Sequence, residues 1–275
     1  MPKDIVVNLM VAGSRDAAAT YAISIARTFD AHVAGVAFAY EPVLPAIVGG
    51  GIPESVIEEQ REENEKAAKS AVAQFEDAAK DVKHESRMVP ASLAGAADTF
   101  GELARLYDLA IVGQSERDRV GPEELIVEGA LFNSGRPVLV VPADYSGGIR
   151  LDRVIVCWNG GRNAARATAN AIPFLRRASA VEVVTVGTEL AASALTSASD
   201  LCRHLERHGI NGTVKRIEPG SSKRVSPAIL DYATKSGAGM IVMGGYGHSR
   251  LREFILGGAT RGILSSMTVP TLMSH

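Results

Sequence analysis

The sequence predicts an α/β protein made of two copies of one unit, each a parallel sheet covered by helices on both faces. Three observations carry the prediction. Short apolar runs alternate with longer helical stretches along all 275 residues, which is the pattern of a doubly wound sheet. The order of these stretches restarts near Asp152. The composition, 46% hydrophobic but only 5% aromatic, suits thin, tightly packed layers of Ala, Val, Ile and Gly.

Asp4–Val11 reads as a buried strand, Asp16–Phe29 as an Ala-rich helix and His32–Ala39 as a second strand. Residues 41–53, EPVLPAIVGGGIP, hold three prolines and three glycines and form a loop. Glu54–Lys80 is a long amphipathic helix with apolar Val56, Ile57, Ala67, Ala71, Val72 and Phe75. Its charge run EEQREENEK reads as a solvated face. Ser86–Val89 is a third strand, Ala91–Tyr107 a helix and Leu109–Val112 a fourth strand. A short helix near Glu128–Asn133 leads to a fifth strand, Pro137–Val141.

The opening then recurs. Gly13, Arg15, Ala17, Ala18 and Ala22 fall on Gly160, Arg162, Ala164, Ala165 and Ala169 at a constant offset of 147. Val181–Val186, the helix Leu190–His208, Thr213–Glu218, the helix Ser226–Ser236, Met240–Met243, the helix Ala259–Ser266 and Thr268–Met273 complete the second copy. Right-handed crossovers leave few topologies for such a chain. The polar linker Ala143–Arg150 divides residues 1–145 from residues 151–275.

A net charge of −2 shows no footprint for nucleic acid or an acidic membrane. Two cysteines, Cys157 and Cys202, form no disulfide framework and suit a reducing compartment. Ile5–Ala12 is short and preceded by acidic Asp4, so it reads as a strand rather than a signal segment. No run approaches the ~18 apolar residues of a membrane span. A cytoplasmic protein is expected.

The stretch with the strongest chemical content is MIVMGGYGHSRLREFILGGATRGIL, Met240–Leu264. The strand end Met243–Gly244 opens a segment with Gly245, Gly247, His248, Arg250 and Arg252. A glycine pair, Gly257–Gly258, then precedes the helix start Ala259–Thr260. Glycines let backbone approach an oxyanion, and the free amides of a helix start attract it. A glycine-rich connection that binds nothing would read the same way. The spacing Gly244, two residues, Gly247, nine residues, Gly257 resembles the ATP-binding loop of the universal stress protein (UspA) family. Gly258 stands where that family has Ser or Thr.

The resemblance covers both halves and implies a strand order of 3-2-1-4-5. It also implies that fifth strands pair across a two-fold axis, so that a tandem chain forms an intramolecular pseudo-dimer. It places adenine nucleotide, ATP or AMP, at the carboxyl ends of strands one and four of the second half, with Mg²⁺ arriving with ATP. Cys157–Asn159 would line that crevice, with Asn159 standing in for a family Asp and Trp158 packing at the rim. Val184 or Val186 would touch adenine, and Gly244 would lie near the ribose. Gly247, Gly257, Gly258 and Ala259 would offer amides to the phosphates, aided by Arg250. Thr260 is a fragment of the hydroxyl set that phosphoryl transfer uses, and His248 either meets the nucleotide or sits on the surface.

The first half fails the same test. Glu116 stands where Gly247 should be, the next glycine, Gly129, comes late, and Ala12 matches Asn159. The helix there is expected to be a turn shorter, leaving the anion site unformed. The loop Gly49–Gly51 lacks a strand before it. His204 and His208, four apart, have no third metal ligand near in sequence. Cys157 reads as a packed thiol, since no base is placed beside it.

These readings converge on a stress-response or regulatory module that binds adenine nucleotide through its second half. An interaction module without nucleotide and a slow ATPase are the alternatives. No catalytic or metal-binding residue is expected. The expected partners are the nucleotide and a protein of unknown identity, or a second copy in a homodimer.

Overall fold

The computed structural model describes residues 1–11, 16–42, 53–115, 121–187, 197–219, 224–246 and 258–275. These form two compact units, Pro2–Arg136 and Pro137–His275.

The first unit carries β1 (Asp4–Asn8), α1 (Ala17–Phe29), β2 (His32–Tyr40), α2 (Glu54–Ala78), β3 (Lys83–Ala91), α3 (Leu93–Ala104), β4 (Leu109–Gly113) and α4 (Pro122–Asn133). Its strands run parallel in the order β3-β2-β1-β4. The central strands are apolar on both faces, as a sheet covered by helices requires, and Ile5, Val6, Val7, Ala110, Ile111 and Val112 are all fully buried. β3 lies at the sheet's edge, where its alternating exposure and Pro90 are tolerated. Local chemistry sets the helix ends. Asp16 caps α1 by accepting from the Ala19 amide, and Ser92 caps α3 through the Gly95 amide.

The second unit begins with β5 (Val138–Val141) and continues with β6 (Arg153–Cys157), α5 (Arg162–Leu175), β7 (Ala180–Val186), α6 (Ala198–Arg207), β8 (Gly212–Ile217), α7 (Val225–Ser236), β9 (Met240–Gly244), α8 (Ala259–Ser266) and β10 (Thr271–Ser274). Its order is β5-β10-β9-β6-β7-β8. β5 and β10 are antiparallel, with Leu139 opposite Leu272, and the other neighbours are parallel. The fifth strands of the two repeats therefore pair, as expected, and this pairing places β5 in the second unit. A capping box between Ser197 and Asp200 starts α6, and Gly237 at φ 69° ends α7.

Three expectations need correction. First, the offset of 147 does not hold along the strands. Val7 lies opposite Ile111 as Val156 lies opposite Val242, so Asn8 corresponds to Cys157 and Met10, rather than Ala12, to Asn159. The connection from β1 to α1 is longer than that from β6 to α5, which shifts the register. Second, α4 is longer than its counterpart α8, twelve residues against eight. It begins at Pro122 because proline is pre-set for the first helical turn. Gly129 then lies inside α4, not before it. A Cβ there would sit 2.3 Å from the Ala97 carbonyl oxygen, so the glycine allows α3 and α4 to pack closely. Third, only Ala68, Ala71 and Phe75 of α2 are buried, and Val56 is 50% exposed. The apolar stripe is confined to the carboxyl-terminal half of that helix.

Candidate functional site

In the second unit the ends of β6 and β9 lie beside the starts of α5 and α8, as the contacts of Gly244 with Ala164 and of Tyr246 with Thr260 show. After Cys157, the Trp158 amide donates to the Val184 carbonyl at 2.9 Å. Gly160 takes φ 71°, which glycine adopts without strain. The Asn159 carboxamide oxygen accepts from the Gly161 amide at 2.9 Å and so holds the turn into α5. Val184 is buried within the β6–β7 ladder, whereas half-buried Val186 lies beyond the end of β6.

Gly244 ends β9 against the first turn of α5. A Cβ at this position would stand 2.6 Å from the Ala164 nitrogen and 2.7 Å from the Asn163 carbonyl carbon. Close packing alone therefore demands glycine here. The following peptides are held from two sides. Asn163, 4% exposed, donates from Nδ2 to the Gly245 carbonyl at 2.7 Å and to that of Tyr246 at 3.3 Å. His275 Nδ1 lies 3.2 Å from the same Gly245 oxygen. Tyr246, left-handed at φ 47°, donates its amide to Thr260 Oγ1 at 2.9 Å. Thr260 is 2% exposed, so its hydroxyl ties α8 to the exit of β9.

Asn163 escaped the sequence reading, although it stands between Arg162 and Ala164 of the recognised repeat. Its only signal was a polar residue at a helical position where the repeat is Ala-rich. Asn163→Ala is expected to cost about 1–3 kcal/mol of unfolding free energy, by loss of bonds to buried carbonyls. Asn163→Asp should cost more, because a carboxylate would then face two carbonyl oxygens. Urea denaturation of both variants measures this.

The two helix starts share an electrostatic character. α5 begins at Gly161 and α8 at Gly258, and among the described residues neither has a side-chain cap or an acidic residue in its first turn. Their leading amides have no acceptor within the helix, and the helix dipole makes each end partly positive. Arg162 and Arg261 stand in those first turns. The corresponding starts in the first unit are closed by carboxylates. Asp16 caps α1 and also accepts from the Met10 amide at 2.8 Å. α4 opens with Glu123 and Glu124, and the Ser115 hydroxyl donates to Glu123. Burial holds the Asp16 carboxyl above its ordinary value, backbone amides oppose the rise, and nearby Glu123 adds to it. Glu123 thus places negative charge at the start of α4. Met10 covers Gly113, with its sulfur 3.5 Å from where a Cβ would be.

Of the expected site residues, Cys157, Trp158, Asn159, Val186, Met243, Gly244, Gly258, Ala259 and Thr260 lie at these strand ends and helix starts, and Val184 lies one layer deeper. Gly247, His248, Arg250 and Gly257, with Arg252, Glu116 and Gly49–Gly51, lie outside the described residues. Burial pushes the Cys157 thiol up to about 12. At pH 8 about one molecule in ten thousand then carries the thiolate, against about a quarter for an ordinary thiol. A more basic thiolate is also intrinsically more nucleophilic, so alkylation of Cys157 in the folded protein is expected to run about fifty- to a hundred-fold slower than in urea, read by mass spectrometry of the modified peptide. Equal rates would show a reactive thiol. Among the described residues no group of three metal-ligating side chains occurs.

Residues 150–275 match the Universal stress protein family. The universal stress protein match thus spans β6 to β10 and both uncapped helix starts. A universal stress protein from Archaeoglobus fulgidus DSM 4304 superposes over 98% of this chain and 95% of its own, with a TM-score of 0.71 and 17% identity. A functionally unknown protein from Pseudomonas aeruginosa PAO1 covers 99% of this chain and 92% of its own, with a TM-score of 0.59 and 15% identity. At these identities the likeness is one of fold, and it extends across both repeats. No curated protein sequence matches the chain. Among the described residues no helix is long and apolar enough to cross a membrane.

Proposed function

We propose that the second unit binds an adenine nucleotide, ATP or AMP, and that the chain is a cytoplasmic stress-response module regulated by that nucleotide. The observation that carries this reading is the pair of glycine-capped helix starts, α5 and α8, beside the ends of β6 and β9. Ligands of open doubly wound sheets sit at such strand ends, where the strand order reverses. Uncapped amides there fit phosphate oxygens, and half-buried Val186 offers the base an apolar contact. Gly247, Gly257, Gly258 and Ala259 supply backbone donors, and Arg250 a charge-assisted one. ATP brings its Mg²⁺ with it, since no carboxylate cage is needed for a phosphate-held ion.

The role is regulatory rather than catalytic. Phosphoryl transfer depends on a placed lysine, a metal-binding hydroxyl and a base or water-positioning group. Here Thr260, the described hydroxyl of the set, is engaged with the Tyr246 amide. Calorimetric titration with ATP and with AMP tests the proposal, together with mass spectrometry of any ligand released from gently purified protein. Saturable heat with either nucleotide supports it, and no heat at about millimolar nucleotide, the weak end of specific binding, rejects it.

A further inference from the structure

The near-neutral total charge conceals two oppositely charged units. Residues 2–136 carry 22 Asp and Glu against 13 Lys and Arg, and residues 137–275 carry 9 against 16. The nets are −9 and +7. The nucleotide reading uses a few of the second unit's cations and none of the first unit's excess anions.

The anions are concentrated on one element. α2 is 25 residues long, about 37 Å of helix. Its buried residues, Ala68, Ala71 and Phe75, all lie in the second half. Every residue from Glu54 to Glu63 is exposed except half-buried Ile57. This segment holds Glu54, Glu58, Glu59, Glu62 and Glu63 against Arg61 alone, which pairs with Glu58 at 2.9 Å. Glu58 and Glu62, like Glu59 and Glu63, stand four apart, a spacing at which like charges repel. A helical segment with so little core contact and with internal repulsion gains from being covered by cations. The second unit presents such a surface at the end of α6. Arg203 and Arg207 are exposed there; Arg203 also pairs with Asp200 on the same helix, and exposed Glu206 precedes Arg207, so Arg207 is the cation of α6 most open to a second copy. Arg176 donates to the His208 carbonyl at 3.2 Å, which adds a third guanidinium.

We propose that the chain associates with a second copy of itself head to tail, the amino-terminal half of α2 in one copy docking on the Arg176–Arg203–Arg207 surface of the other. The contact is heterologous, so it propagates into a ring or an open chain rather than stopping at an isologous dimer. A single exposed helix face is a small interface, so the association is weak and governed by salt. The proposal is independent of nucleotide binding.

Sedimentation velocity of the full chain tests it at about 0.01 M and about 1 M salt, where the screening length falls from about 30 Å to about 3 Å. The mean mass is expected to rise with protein concentration at low salt and to return to monomer at high salt. Replacing Glu58, Glu59, Glu62 and Glu63 with Lys should abolish association, as should Arg176→Glu with Arg203→Glu and Arg207→Glu. Mixing these two variants restores opposite charge at each contact and should restore association, which also shows that both are folded. A monomer at every concentration in low salt overturns the proposal and leaves α2 to a different basic partner. Undiminished association of the α2 variant, or a mixture that stays monomeric, overturns it as well.

Discussion

Gly258→Asp is expected to reduce nucleotide affinity at least about 100-fold while leaving the fold intact or slightly more stable. Gly258 is the N-cap of α8, at φ −53° and ψ 156°, a conformation open to any L-residue. Asp is a better N-cap than Gly by a few tenths of a kcal/mol. A carboxylate at a helix start gains about 0.3–1 kcal/mol more from the dipole. The same carboxylate occupies the amides that the phosphates would use and sets like charge beside them. Two unit charges ~4 Å apart at a protein surface repel by about 4 kcal/mol, so a hundred-fold loss, about 2.7 kcal/mol, is a conservative figure. Calorimetry measures the affinity and thermal unfolding the stability. The two readouts move in opposite directions, which a merely unfolded variant cannot reproduce. Unchanged affinity with a stabilised fold would remove α8 from the nucleotide site. The first unit shows the natural version of this substitution, since Glu123 and Glu124 already stand in the first turn of α4.

How far the sequence could be read follows from where its signals are local. Strand cores such as Val154–Val156 and Met240–Met243 are continuous apolar runs, and a buried parallel strand is the simplest structure for them. α8 is found where the reading placed it, Ala259–Ser266, because Gly258 before it and the apolar spacing within it are both local. The pairing of β5 with β10 was legible only through the resemblance, since no local pattern in VLVV or TLMS names a partner. The errors arose where tertiary contact decides. Gly129 looks the same in sequence whether it starts a helix or lets two helices meet. Val56 has the right spacing for a buried stripe, yet it stands half exposed while the buried residues of α2 begin at Ala68. Ala12 was matched to Asn159 because an offset read from helices was carried across a connection of different length. Asn163 was passed over because its partners, Gly245 and Tyr246, are more than eighty residues away.

Gly244→Ala and Gly113→Ala form the second large contrast, because the two glycines end corresponding strands but meet different neighbours. At Gly244 the added methyl would stand 2.6 Å from the Ala164 nitrogen, 2.7 Å from the Asn163 carbonyl carbon and 2.9 Å from the Asn163 Cβ. Two of these are backbone atoms of α5 and cannot rotate aside, so the helix start must move away from β9. Overpacking of this kind costs about 1–3 kcal/mol. The displacement also strains the Asn163 bonds to Gly245 and Tyr246, so the upper end of that range is expected. At Gly113 the nearest atoms are the flexible Met10 sulfur at 3.5 Å and the Ala18 Cβ at 3.8 Å. Ordinary contact awaits the methyl there. Glycine in a strand forfeits about 0.5–1 kcal/mol relative to alanine through chain entropy, so Gly113→Ala should be neutral or mildly stabilising. Urea denaturation of both variants gives the two free energies. Nucleotide titration should show weakened binding for Gly244→Ala and none of that loss for Gly113→Ala. Equal costs at the two positions would mean that the close approach of α5 to β9 is not a constraint on the fold, and the account of Gly244 as a packing glycine would fall with it.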